Sequence, residues 1–144
     1  AAEVKTLAEL YGRSRNEGFM TENKRRIMIG SFVLSSGFFD AYYMQAQKAR
    51  TLLINEIKKL FTEYDALLMP TAPTPAFKLG ENTNDPIKMY LADIMTVPAS
   101  LAGLPAISVP AGSNDEGLPI GVQLIGDYQS DGSLLKLAAE VEAA

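Results

Sequence analysis

Apolar residues recur at three- and four-residue steps through most of the first half of the chain, the spacing of one-sided helices. Val4, Leu7, Ala8, Leu10 and Tyr11 predict a helix over 3–16, interrupted at Gly18. Thr21 offers an N-cap hydroxyl for a second helix and Glu22 a charge suited to a helix start. This helix carries Lys24, Arg25 and Arg26, then Ile27, Met28, Phe32 and Val33, and is expected to stop near 35–37, with Gly37 left-handed. The longest helix is expected over 39–62, with Asp40 near its start. Tyr42, Ala46, Ala49, Leu53, Ile57, Leu60 and Phe61 form its apolar stripe, and Lys48, Arg50, Glu56, Lys58 and Lys59 mostly the other face.

The second half changes period. Residues 65–69, 106–109 and 118–125 are short apolar runs bounded by Pro and Gly, the pattern of buried strands. Pro70, Pro73 and Pro75 stiffen the segment after the first strand. A polar loop over 78–87 precedes short helices near 88–95 and 99–102, with Pro98 as a helix-start residue. Residues 113–117 read as a turn, and 133–144 as a last amphipathic helix led by Leu134, Leu135, Leu137 and Val141. Three strands make a thin sheet, so the chain reads as a single segment, 1–144, of a larger α/β domain. Its missing neighbours would leave apolar sheet edges exposed and the chain prone to self-association.

Composition narrows the chemistry. The net charge of −4 argues against an autonomous nucleic-acid binder. With no cysteine and no histidine among 144 residues, thiolate catalysis, Ser-His schemes and His-metal sites are closed to these residues acting alone. The first six residues lack the apolar run of a secretory leader, and no stretch approaches the roughly 20 apolar residues of a membrane span. A cytoplasmic setting is the expectation.

Asp93 stands out: a single carboxylate among Tyr90, Leu91, Ile94 and Met95. Burying such a group is costly unless a cation or ligand answers it. Other candidate chemistry has ordinary explanations. Ser35-Ser36-Gly37 lacks the flanking glycines that would let backbone N–H groups approach an oxyanion, so a helix ending fits better. Phe38, Phe39, Tyr42 and Tyr43 read as core packing. Lys24, Arg25, Lys48, Lys58 and Lys59 read as solvated helix faces in an acidic chain.

The segments KRRIMIG at 24–30, SSGFFDAYY at 35–43, QAQKART at 45–51 and YDALLMPTAPTPAF at 64–77 occur in that order. They continue with DPIKMYLAD at 85–93, LAGLPAISVPAG at 101–112 and GLPIGVQLIG at 117–126. This series resembles the amidase signature family nearly end to end, and within it the glutamine-hydrolysing A subunits of glutamyl-tRNA(Gln) amidotransferases. The resemblance implies an α/β fold with a mixed sheet covered by helices on both faces, of which the chain supplies the C-terminal part. It implies that Arg26 and Asp93 bind the carboxylate and amino groups of a substrate glutamine. A planar guanidinium suits a carboxylate, and a carboxylate suits an ammonium group. A structural ion pair or a solvated Arg26 is the alternative. Arg25 lies in the same turn about 100° around the helix, so only one of the two faces a pocket.

Family members carry a catalytic serine, a second serine in a cis peptide and a lysine base upstream of these motifs. The chain is therefore expected to be inactive alone and to need the N-terminal part of its own subunit. The resemblance further implies partner B and C subunits, with ATP and Mg at the partner, no cofactor on this chain, and tRNA reached only through the partner. Two alternatives stay open: a segment of a stand-alone amidase acting on another amide, and a non-catalytic interaction module.

Overall fold

The computed structural model describes residues 4–82 and 85–143. Residues 3, 83, 84 and 144, which fall within the expected first helix, the 78–87 loop and the last helix, lie outside the described residues. The chain divides into two compact units, Ala1–Lys48 and Ala49–Ala144.

In the first unit, helix α1 spans Leu7–Gly18. Thr6 caps it, its Oγ1 accepting from Glu9 N at 3.1 Å, while Glu9 also receives Lys5 N at 3.1 Å and pairs with Arg13 at 2.8 Å. These local bonds start the helix later than the apolar pattern alone suggests, and it runs through Gly18. Helix α2 covers Thr21–Val33. Met20, extended at ψ 164, is the N-cap, so Thr21 lies inside the helix and supplies no cap. Lys24 Nζ reaches back to Asn16 O at 2.6 Å, fixing the turn between the two helices. The end of α2 uses Ser35 and Leu34 and needs no left-handed glycine, since Gly37 is not among the positive-φ residues. A π-helical turn, Phe39–Met44, then leads into α3, Gln45–Leu60, whose residues from Ala49 onward belong to the second unit. Thus the expected single helix over 39–62 is wound in two ways.

The second unit is built on a sheet of β1 (Ala66–Pro70), β2 (Ala106–Ser113) and β3 (Pro119–Gly126) in the order β1-β3-β2. Both pairings are antiparallel, with Leu68 opposite Leu124 and Ile107 opposite the same residue. Alternation sends Val122 and Leu124 to one face and Gly121 and Gln123 to the other. Helix α6, Asp131–Ala143, covers the first face: Val109, Leu124, Leu134 and Ala138 are buried together, rimmed by Ile107, Val122, Leu137 and Val141. Burying a residue such as Leu124 contributes roughly 1.5–3 kcal/mol. On the other face, beside Ser108 and Gln123, lies α5 (Val97–Ala102), where Ala99 is buried; α4 (Pro86–Ala92) precedes it in the chain.

Strand β2 runs four residues further than its apolar core suggests. Its register with β3 shifts between Pro110 and Ser113, where Pro110 lacks an N–H and Gly112 adopts φ 101. Many large apolar side chains are exposed, among them Leu68 on β1 and Ile27, Ile29 and Phe32 on α2. This matches the uncovered apolar surface expected of the chain.

Candidate functional site

Asp93 follows α4 directly and occupies its C-cap at φ −101, ψ 1. Asp85 starts the helix, its Oδ1 accepting from Ile87 N and Lys88 N at 3.1 Å each, with Pro86 at the first helical position. After Asp93 the chain turns tightly: Thr96 donates to Asp93 O from both its N, at 3.1 Å, and its Oγ1, at 2.9 Å. The side chain of Asp93 is exposed. The burial cost that its apolar neighbours suggest is therefore not incurred in this chain, where Tyr90, Leu91 and Ile94 are exposed as well.

The turn is held from below. Gln123, in the central strand, is 4% exposed, and its Nε2 donates to Met95 O at 3.0 Å. Helix α5 then ends at Gly103, left-handed at φ 71, and Arg50 Nε donates to Leu101 O at 2.6 Å. Beside Gln123, Thr71 and Ser108 share a hydroxyl hydrogen bond of 2.6 Å across the uncovered width of Gly121. Thr71, Thr96, Ser100, Ser108 and Gln123 line a depression of about 340 Å³ between the turn and the sheet. A larger groove, about 640 Å³, follows the proline-rich segment and has no charged lining residue. The smaller depression adjoins the chemistry: it is floored by hydroxyls and an amide and flanked by the Asp93 turn.

Arg26 belongs to the first unit and Asp93 to the second. Arg26 lies on α2, with Nε 3.0 Å from Glu22 Oε1 and its side chain 67% exposed. Arg25 also reaches Glu22, at 3.8 Å. Exposed pairs of this kind contribute only about 0–1 kcal/mol. Geometry within α2 does not choose between them.

The remaining candidates resolve into structural roles. Ser35 Oγ donates to Phe32 O at 2.7 Å, so this hydroxyl serves the helix end, as its flanking residues suggested. The aromatic residues pair, Phe32 with Phe38 at 4.1 Å and Phe39 with Tyr43 at 5.0 Å between ring centroids. They are only partly covered, however, so they form a surface cluster and not the core expected of them. Among the described residues no group of three acidic, His or Cys side chains is placed to hold a metal, and no helix is long and apolar enough to cross a membrane. Gln123, Thr71, Ser108 and Arg50 escaped the reading of the sequence as site residues. Gln123 had a signal: it is the one amide in an otherwise apolar strand.

The second unit thus sets a polar depression, lined by Thr71, Ser108 and Gln123, beside the turn that follows Asp93. Residues 1–135 match the amidase family, and the chain belongs to that family. It is 53% identical over 142 residues to the A subunit of glutamyl-tRNA(Gln) amidotransferase from Koribacter versatilis, covering 99% of this chain and 30% of that protein. It is 58% identical over 134 residues to the same subunit from Nitrosococcus oceani, covering 93% of this chain and 28% of that protein. The crystal structure of the Thermotoga maritima counterpart superposes with a TM-score of 0.70 at 48% identity, over 94% of this chain and 29% of that one. A bacterial aryl acylamidase of the amidase signature family superposes with a TM-score of 0.64 at 26% identity, over 93% of this chain and 28% of that one. The chain thus spans about three-tenths of the length of these relatives.

Proposed function

We propose that the chain is the C-terminal, substrate-orienting part of the glutamine-hydrolysing A subunit of an amidotransferase. The whole subunit releases ammonia from glutamine, and its B and C partners use the ammonia, with ATP and Mg, to convert Glu-tRNA(Gln) to Gln-tRNA(Gln). The tRNA is bound by the partners, in keeping with the net charge of −4 here. Arg26 grips the carboxylate of glutamine through two parallel hydrogen bonds, and Asp93 receives its ammonium group. The serine nucleophile, the cis-serine and the lysine base come from residues outside the 144, so the chain by itself orients substrate without cleaving it. Support comes above all from the 53% identity with the Koribacter versatilis protein across 99% of the chain. The exposed Asp93 carboxylate, fixed at the end of α4, is available for such a role.

The test compares glutamine with simple aliphatic amides as substrates of the full-length protein. Each charge-assisted hydrogen bond contributes about 1.5–3 kcal/mol, so Arg26→Ala and Asp93→Ala are expected to lower kcat/KM for glutamine roughly 10- to 150-fold. Aliphatic amides are expected to be unaffected. An unchanged KM for glutamine in both variants refutes the clamp. A second reading, a stand-alone amidase acting on another amide, draws on the likeness to the aryl acylamidase. It calls for the reverse preference, since an apolar amide has no use for a charged clamp.

A further inference from the structure

Gln123 is buried in the middle of the central strand, between Val122 and Leu124, where an amide is costly unless it is hydrogen-bonded. Its Nε2 donates to Met95 O at 3.0 Å, and a carbonyl partner fixes which end of the amide points to the turn. Met95 lies between Asp93 and Thr96, and Thr96 closes back onto Asp93 O through two bonds. Two hydrogen-bonded steps joined by the Met95–Thr96 peptide bond therefore link β3, through Gln123 and the turn, to the backbone of Asp93, whose side chain is exposed. Each neighbour of Gln123 reinforces its position: Ser108 and Met69 face it across the sheet, and Ser108 is bonded to Thr71.

We propose that Gln123 is a positioning residue, tethering the Asp93–Thr96 turn to the sheet and thereby setting the affinity for the amino group of the substrate. This rests on the glutamine-clamp reading. The tether matters because Asp93 lies just past the end of a seven-residue helix, on a turn with no buried side chain of its own. The bond from Gln123 ties that turn to the strand beneath it, and without the bond the carboxylate drifts from its aim.

The experiment uses the full-length protein with two substrates, glutamine and glutaramate, the same amide lacking the α-amino group. Gln123→Leu keeps the bulk and removes the donor. Its expected effect is a rise in KM for glutamine of about three- to tenfold with kcat nearly unchanged, and no change for glutaramate. Hydrogen exchange at the Thr96 amide, protected by Asp93 O, is expected to accelerate in the same variant. Equal impairment of both substrates, or unaltered Thr96 exchange, overturns the proposal. Asp93→Asn separates the two ideas. If that variant treats the substrates alike, the clamp reading fails, and the tether is judged by Thr96 exchange alone. Should Gln123→Leu not fold, Gln123→Met, unbranched like Gln and equally without the amide donor, takes its place. The same selective rise in KM is then expected, and an unchanged KM refutes the tether.

Discussion

Leu124 and Leu68 sit opposite each other on adjacent strands and point to the same face of the sheet, so truncating each in turn isolates the value of the α6 cover. Leu124 is 3% exposed and packed with Val109, Leu134 and Ala138, whereas Leu68 is 64% exposed. Leu→Ala in a packed core costs about 2–5 kcal/mol, depending on how far the neighbours collapse into the space. Here Ile107, Val122, Leu137 and Val141 are only partly buried and can settle inward. The lower end of that range, about 2–3 kcal/mol, is therefore expected for Leu124→Ala. Leu68→Ala removes a side chain that is mostly in water already, and its cost is expected to stay within about 0.5 kcal/mol. Urea denaturation of the chain, followed by circular dichroism, reads both. With slopes of about 1–3 kcal/mol/M, the midpoint of Leu124→Ala is expected to fall by on the order of 1 M while that of Leu68→Ala hardly moves. Equal shifts would refute the assignment of the core to the α6 face.

Two further perturbations probe the frame around the site. A methyl group on Gly121 would lie 2.9 Å from Ser108 Oγ and 3.0 Å from Thr71 Oγ1, so Gly121→Ala is expected to break their shared bond and destabilise by about 1–2 kcal/mol. Ser108→Ala in the same background is expected to recover part of that loss, and additivity of the two changes in a denaturation cycle would contradict the steric account. Asp85→Ala removes the acceptor for two N–H groups at the start of α4 and is expected to cost about 1 kcal/mol, visible as faster hydrogen exchange at Ile87 and Lys88. Unchanged exchange there would show that the cap does not hold the helix.

The sequence by itself determined what local periodicity and local chemistry can carry. The stripe through Leu53, Ile57 and Leu60 defined α3, and the short apolar runs over 65–69 and 118–125 defined β1 and β3. The ordered motifs were enough to point to the family, because long matches in one order survive any uncertainty in element ends. Boundaries set by competing local bonds were less visible. Lys5 and Thr6 meeting Glu9 shifted α1, and an extended Met20 took the N-cap expected of Thr21. The tertiary structure alone decided the strand order β1-β3-β2, the choice of face for α6, and the link from Gln123 to Met95 across 28 residues. Periodicity reports only which face of an element is apolar, and a pairing between distant segments is fixed by which faces bury one another. That is why Asp93 could be singled out from its neighbours, while the amide that holds its turn became visible only once β3 lay beneath it.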